Sequence, residues 1–293
     1  MIAQSKIMKC SAMTLAAVLI MWSCKEEEPE RITLQDTADL TEEALTDAYF
    51  QDVDDLAGIA IEAPTEPEYA GGRTSGTITI EDHRFQCDGI IVTVEPDASS
   101  TTEVPSGVLT IDFGTSGCQD LKGNVRKGKL IFTYHGKRFM PGSTVVTTTD
   151  NYFINGVQLQ GVRTLTNLQN STSDAPRFNV LLESGKATFA NGLFATRESD
   201  ITWQWNRAVS PADDNLQIEH TSTASGTTRG GRHYEVALLE DLIYKRGCGI
   251  AVSGIKHYTI DEAKEITINY GDGSCDQSFT VTANGVTRDI SLN

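Results

Sequence analysis

The sequence has few basic residues, and its N-terminal apolar run is short. Lysine and arginine number 24 against 40 aspartate and glutamate, which gives a net charge of −16. Because such a chain repels a polyanion, the composition argues against a nucleic-acid partner. The apolar run at residues 12–22 has 11 residues, whereas a membrane-spanning helix needs roughly 20. The hydrophobic content of 39% is enough for a folded core.

Complete catalytic and metal-binding motifs are also lacking. Residues 123–129 fit the Gly-x-x-x-x-Gly-Lys of a phosphate-binding loop, but Leu130 follows where Ser or Thr would hold Mg²⁺. Ser253 and Lys256 fit Ser-x-x-Lys, a motif that needs a helix, and in a strand the two side chains point to opposite faces. The five histidines are nowhere paired at metal-ligand spacing. We therefore expect no enzyme, no metal and no cofactor.

The first 24 residues have the order of an export signal. Lys6 and Lys9 are followed by the apolar run at residues 12–22, then by Ser23 and Cys24. A small residue before a cysteine at this position resembles the lipobox of bacterial lipoproteins. The resemblance implies that residues 1–23 are cleaved and that Cys24 carries a covalent lipid, which anchors the chain to a membrane. An ordinary secretory signal with a chance cysteine is the alternative.

Residues 24–74 are predicted to hold a tether, one helix and a linker. The acidic stretch after Cys24, Lys-Glu-Glu-Glu-Pro-Glu, resembles the export signal of Bacteroidota-type surface lipoproteins, which implies an outer-membrane, surface-exposed location. A solvated flexible tether explains the same residues. The spacing of Leu45, Tyr49, Val53 and Leu56 predicts a helix over residues 39–57, capped by Asp39 or Thr41 and ended by Gly58.

Residues 75–293 are predicted to form an all-β domain. Apolar residues alternate with polar ones in segments such as 108–114 and 265–271, and Thr and Val are abundant. The fold class we expect is an antiparallel meander of about 12–14 strands, either a sandwich or a curled sheet. Two-residue hairpin turns are predicted at Asn155-Gly156, Asn191-Gly192, Asn284-Gly285 and Gly230-Gly231.

An internal pseudo-repeat relates residues 87–118 to residues 248–275. Its matched core is Leu-Thr-Ile-Asp-Phe-Gly-Thr-Ser-Gly-Cys at 109–118 and Ile-Thr-Ile-Asn-Tyr-Gly-Asp-Gly-Ser-Cys at 266–275. The domain also resembles a family of uncharacterised Bacteroidota-type surface lipoproteins, which implies a β-rich exported domain and supplies no activity. The resemblance is carried by residues 113–118, 126–129 with Tyr134, 155–164, 245–248, 270–273, Cys275 and Asp276.

The mature chain has four cysteines besides Cys24, namely Cys87, Cys118, Cys248 and Cys275. An even number in an exported domain indicates disulfides, and the repeat favours one bond within each half. Each would close a loop of about 30 residues and stabilise the fold by roughly 3–4 kcal/mol. Free buried thiols and a zinc site of four thiolates are the alternatives.

Trp203 and Trp205 are the candidate ligand-binding residues. In a strand, both indoles project from one face about 7 Å apart and can form a platform for sugar rings. The alternation with Thr202 and Gln204 equally fits a strand whose tryptophans fill the core.

A basic group surrounds one predicted hairpin. We interpret it as a solvated hairpin, with a contact to an anion or lipopolysaccharide as the alternative. Its members are Arg126, Lys127, Lys129, Lys137 and Arg138.

Together these patterns predict a lipid-anchored, non-enzymatic binding or structural module of the cell envelope. Its expected partners are the membrane, through the anchor, and a glycan or another envelope protein. A polysaccharide-binding accessory lipoprotein is the second hypothesis, and an enzyme with an unrecognised site is the third.

Overall fold

The fold combines an antiparallel sheet with an α-helix that packs on it. The computed structural model describes residues 33–62, 75–80, 83–85, 89–210, 213–248 and 250–291. The helix α1 spans Leu34–Glu62, and a short 3₁₀ helix spans His83–Phe85. The strands are β1 Gly76–Ile78, β2 Ile91–Pro96, β3 Ser106–Asp112, β4 Cys118–Gln119, β5 Val125–His135, β6 Thr144–Ile154, β7 Val157–Asn167, β8 Arg177–Thr188, β9 Phe194–Asn206, β10 Asn215–Ile218, β11 Thr223–Thr227, β12 His233–Lys245, β13 Ala251–Ile260, β14 Lys264–Asp272, β15 Ser278–Ala283 and β16 Val286–Ser291.

The sheet is a meander in which each strand pairs with its neighbours in the chain. One exception is β4, which pairs only with β5, so that β3 pairs directly with β5. The other is the pair of short strands β10 and β11, which lie end to end, each paired with both β9 and β12. The predicted all-β antiparallel meander is confirmed. Of the two arrangements left open by the sequence, a sandwich and a curled sheet, the second agrees with the single sheet that the described strands form. The described strands number sixteen rather than 12–14, since pieces as short as β1 and β4 carry no detectable alternation.

All four predicted turns join neighbouring strands, but only two are two-residue turns. Both central residues have positive φ at Asn155-Gly156 (50° and 81°) and at Asn284-Gly285 (48° and 77°), as a type I′ turn requires. At Asn191-Gly192 and Gly230-Gly231 only the second residue has positive φ. These two hairpins have longer turns, so the prediction was wrong on turn length there.

Helix α1 begins five residues earlier and ends five residues later than predicted. Thr33, not Asp39 or Thr41, caps it: the Asp36 amide donates to Thr33 Oγ1 at 3.1 Å, and the Thr33 amide donates to Asp36 Oδ2 at 2.7 Å. This reciprocal pair is a capping box with Asp in the third position. Gly58 lies inside the helix and does not end it.

One face of α1 packs on the sheet, and we call the sheet face that receives it the inner face. The buried helix residues recur every three or four positions, as one stripe of a helix does. Leu45, expected on this stripe, is instead 44% exposed. The stripe consists of Asp36, Asp39, Glu43, Thr46, Phe50, Val53 and Leu56.

The apolar core under α1 has two main parts. The larger part joins Phe50, Val53 and Leu56 to the inner faces of β2–β8. The smaller part lies on β11–β15 and receives Leu40. The helix is thus an integral layer of the domain.

The turns fall at two ends of the sheet, because antiparallel strands reverse direction at every turn. The first turn of α1 lies at the end formed by turns 120–124, 155–156, 189–193, 228–232 and 261–263, since Asp36 pairs with Arg232 and Lys264 there. We call this the helix-start end. The opposite end consists of segments 97–105, 136–143, 168–176, 207–210 with 213–214, 246–248 and 273–277.

Candidate functional site

The predicted export signal lies outside the described residues. Residues 1–23 and Cys24 belong to the part of the chain on which the structure is silent, so cleavage and lipidation stay predictions. Among the described helices, none combines the length and the apolar character needed to cross a membrane.

Disulfide bonding is present in both halves of the domain. Cys248 and Cys275 are joined, with their Cα atoms 5.3 Å apart, which confirms the pairing predicted for the second half. Cys118 is also disulfide-bonded, and its predicted partner Cys87 lies outside the described residues. Since bonded sulfurs are not thiolates, the alternatives of a four-thiolate zinc site and of free thiols at Cys118, Cys248 and Cys275 are wrong.

The pseudo-repeat has a structural counterpart in one local hydrogen bond, which lies at the end of β3 in the first half and inside β14 in the second. Asp112 Oδ1 accepts a hydrogen bond from the Gly114 amide at 2.9 Å, and Asn269 Oδ1 accepts one from the Gly271 amide at 2.9 Å. Each is the same contact between a side chain and the backbone two residues on, at equivalent repeat positions. The repeat therefore preserves this local contact as well as sequence.

Trp203 lies on the inner face at the edge of the larger core. Its ring stacks on that of Phe178 with centroids 4.6 Å apart, and Phe178 is buried. The two residues are paired across β8 and β9, so their side chains stand on the same face. One face of the Trp203 indole is thus occupied.

Trp205 lies two residues further along β9, towards the opposite end. Its Nε1 donates to Asp214 Oδ2 at 3.1 Å. The Arg207 guanidinium lies 4.5 Å from the Trp205 ring centroid and 5.1 Å from that of Phe139, a cation between two aromatic rings. Phe139 is 41% exposed. We call Phe139, Phe178, Trp203, Trp205 and Arg207 the aromatic cluster.

The structure supports part of each interpretation of the tryptophans. Trp203 packs against the core, as the core-filling interpretation expects, yet both indoles remain half-buried rather than buried. The sugar platform stays a prediction. The neighbouring cation, which sequence spacing did not reveal, comes from Arg207 folding back over the strand.

The solvated-hairpin interpretation is wrong for Arg126. This side chain is 1% exposed, and its guanidinium donates to Asp52 and Asp120, each at 2.6 Å for the closest pair. Alternation along β5 turns Arg126 to the inner face and Lys127 to the outer face. Lys129 pairs with Asp112 at 3.0 Å on a solvated surface.

The phosphate-loop pattern at residues 123–129 is explained by strand geometry. Gly128 sits at a β-bulge between β5 and β6 with φ 81°, and a Cβ there would lie 2.0 Å from the Asn151 carbonyl oxygen. A side chain cannot be accommodated at that position. The glycine serves the bulge, and the segment is a turn followed by a strand rather than a helix start.

A buried ionic cluster surrounds Glu43 beneath β9 and β13. Its carboxylate accepts hydrogen bonds from Arg197 at 2.6 Å and from the Tyr258 hydroxyl at 2.9 Å, and Lys256 Nζ lies at 3.5 Å. Arg197 also pairs with Asp47 at 2.7 Å. Sequence analysis missed this cluster, although the helical spacing of Asp36, Asp39 and Glu43 was a usable signal.

The electrostatics of Glu43 are those of a structural ion pair. Burial alone would raise its pKa, but the charges of Lys256 and Arg197, with hydrogen bonds from Arg197 and Tyr258, lower the pKa to about 2. The carboxylate is therefore ionised at neutral pH and holds no proton to exchange. The arrangement suits docking of α1 better than acid–base chemistry.

A groove of about 570 Å³ is lined by β8, β9, β11, β12 and β13. Three of its polar side chains have local partners. Glu198 accepts the Ser184 amide at 2.8 Å, and His257 Nδ1 lies 3.1 Å from Thr267 Oγ1. Asp200 accepts from the Asn179 amide group. These contacts hold a bulge and neighbouring strands in place.

No three His, Cys, Asp or Glu side chains converge into a metal-ligating group within the described ranges. No protein-family model matches the chain. No curated protein and no solved structure matches it either.

Proposed function

We propose that this chain is an exported, lipid-anchored protein of the cell envelope whose β domain is a non-enzymatic binding or structural module. The observation that carries the proposal is the short leader ending in Ser23-Cys24, joined to a domain with disulfides in both halves. Disulfides form and persist in oxidising compartments outside the cytoplasm, so the cysteine chemistry agrees with export.

The polar interior supports a role without catalysis. Ion pairs occupy the buried charged groups of Glu43, Asp36 and Arg126. These pairs hold α1 on the sheet, or β5 against the turn that precedes it. In the groove lined by β8, β9, β11, β12 and β13, Glu198 accepts from the Ser184 amide and His257 contacts Thr267. An acid or base in an active site needs a proton-transfer geometry towards a substrate, and these groups are instead turned to each other.

Mass spectrometry of the protein purified from its native membrane tests the anchor. The expected mature chain begins at Cys24 and carries fatty acids, and the wild type partitions with membranes. The Cys24→Ala variant is expected to lose that partition, with Cys10→Ala, in the leader, as a control that keeps it. An intact leader, a mature terminus without fatty acids, or equal partitioning of the two proteins would contradict the proposal.

A polysaccharide-binding role is the second candidate, and the aromatic cluster favours it. Trp205, Arg207 and the exposed Phe139 lie together at the opposite end from the start of α1. Aromatic faces with adjacent hydrogen-bonding groups suit sugar rings.

Affinity electrophoresis in gels containing envelope or dietary polysaccharides tests this role. Retardation by one polysaccharide that Trp205→Ala abolishes would support it. Leu239→Ala, which removes a 58% exposed apolar side chain from β12, is the matched control. Equal retardation of the two variants, or no retardation of the wild type by any polysaccharide, would contradict the proposal that Trp205 binds sugar.

A further inference from the structure

We propose that the helix-start end of the sheet is a membrane-contacting surface that inserts apolar side chains into the lipid interface holding the anchor. The inference rests on the proposed lipidation of Cys24 and goes beyond it, because lipidation alone leaves the domain free to tumble on its tether. It assigns an orientation and a contact surface.

The position of α1 supplies the first argument. Cys24 precedes Thr33 by nine residues, and nine residues span at most about 30 Å. Thr33 lies at the helix-start end, next to Asp36, which binds Arg232 and Lys264. Strand β12 alone has 13 residues, so the two ends are about 40 Å apart along it. A chain of that reach brings the helix-start end towards the lipid more readily than the opposite end.

Exposed apolar side chains supply the second argument. Leu121 is 72% exposed, Leu193 is 51% exposed and Phe194 is 47% exposed. The turn holding Leu121 and the β6–β7 turn are adjacent, since Asn124 Oδ1 accepts from Asn155 Nδ2 at 3.0 Å. Leu193 lies in the next turn along the same end, and Phe194 begins β9 directly after it. Solvent gives these side chains no stabilisation, whereas an acyl boundary does.

A cation beside one of these apolar side chains supplies the third argument. Lys186 Nζ lies 4.3 Å from the ring centroid of Phe194. Aromatic side chains next to lysine or arginine are typical of interfacial membrane contacts. Arg229, whose guanidinium lies 4.4 Å from the Phe189 ring centroid, already pairs with Glu42 at 3.0 Å and adds no net charge.

Depth-dependent quenching of tryptophan tests the orientation. The mature chain is coupled through the Cys24 thiol to a maleimide lipid, in vesicles of phosphatidylcholine and phosphatidylglycerol with brominated acyl chains. The parent protein supplies the baseline from Trp203 and Trp205. Leu193→Trp and Leu121→Trp each add a reporter at the helix-start end, and Val209→Trp adds one at the opposite end, where Val209 is fully exposed.

In Leu193→Trp and Leu121→Trp, we expect about half of the fluorescence contributed by the added tryptophan to be quenched, since interfacial groups lie about 5–10 Å into the headgroup boundary. The fluorescence added by Val209→Trp should be unchanged. Equal quenching at the two ends, no quenching at any position, or quenching at Val209→Trp alone would overturn the inference. Chemical coupling keeps this outcome separate from the anchor itself: missing fatty acid in the cell refutes the proposed function, whereas the vesicle result refutes the orientation.

Discussion

The two halves of α1 bury one continuous stripe by opposite chemistry. From Asp36 to Glu43 the stripe consists of carboxylates that pair with arginine and lysine, whereas from Phe50 to Leu56 it consists of apolar side chains packed on the apolar core. Asp52 and Asp54, which flank this apolar half and are partly exposed, pair with Arg126 and Arg163. Apolar contact is non-directional and contributes free energy in proportion to area. Buried ion pairs contribute little net free energy, yet a wrong partner is heavily penalised. The comparison indicates that the apolar half stabilises the docked helix, and that the ionic half fixes its register on the sheet.

The largest expected effect comes from removing one buried positive charge from the ionic half. Arg197→Met removes one of the two cations beside Glu43 and the ion-pair partner of Asp47, and we expect it to lower the free energy of unfolding by about 3–5 kcal/mol. Urea denaturation followed by circular dichroism measures the change.

The double variant Glu43→Gln with Arg197→Met is the matched control for this effect. It removes the buried carboxylate along with its partner, so it should recover part of the lost stability. A double variant as unstable as the sum of the two single variants would mean that the pair does not act as a unit.

In the apolar half, Leu56→Ala should cost about 2–5 kcal/mol, because Leu56 is fully buried and its truncation leaves a cavity. Leu45→Ala, on the same helix but 44% exposed, should change the free energy of unfolding by less than about 0.5 kcal/mol. Similar losses in the two variants would show that the buried stripe is misassigned.

The same comparison explains what sequence could and could not predict of the helix. Val53 and Leu56 gave a correct apolar signal, so the helix was found over its apolar half. Asp36 was assigned to the tether, Asp39 was proposed as a cap, and no buried role was predicted for Glu43, because isolated carboxylates almost never bury. Their partners come from strands that lie far along the chain, and no local pattern links them to α1.

Strands show the same division between local and long-range information. Alternation and Asn-Gly turns predicted the meander, because hairpin geometry depends on a few adjacent residues. The inward turn of Arg126 depended on β-strand register and on Asp52 of α1, which is 74 positions away. Arg207 joined the aromatic cluster for the same reason, through a loop conformation that periodicity does not encode.

A smaller effect should appear when acid titrates buried, ion-paired carboxylates. The pKa of Glu43 is about 2 in the folded chain against an ordinary value of 4.5, and the pKa of Asp120 is about 2 against 3.8. A folded-state pKa below the unfolded value means that the stabilisation is fully present above the unfolded pKa and is lost as pH falls towards the folded pKa.

Stability should therefore be level from about pH 7 to about pH 5 and should fall between about pH 4.5 and pH 2. Urea midpoints measured across this range check the slope, and Glu43→Gln should make it shallower, whereas Leu56→Ala should leave it parallel to the wild type. Stability that rises on acidification would contradict the assignment of Glu43 as a buried, ionised carboxylate.

The smallest effect is expected at an exposed pair on the same strand as a buried one. Lys129 pairs with Asp112 on the solvated surface, three residues after Arg126, which pairs with Asp120 in the interior. Solvent and salt screen the exposed Lys129–Asp112 pair, and ordering its long lysine side chain costs conformational entropy. Lys129→Gln should therefore shift the urea midpoint slightly at low salt and not at high salt. Arg126→Gln should shift it strongly at both, because salt does not reach the buried carboxylates of Asp120 and Asp52. A salt-independent loss of stability in Lys129→Gln would contradict this comparison. It would mean that exposure to solvent does not decide how much an ion pair contributes to the free energy of unfolding.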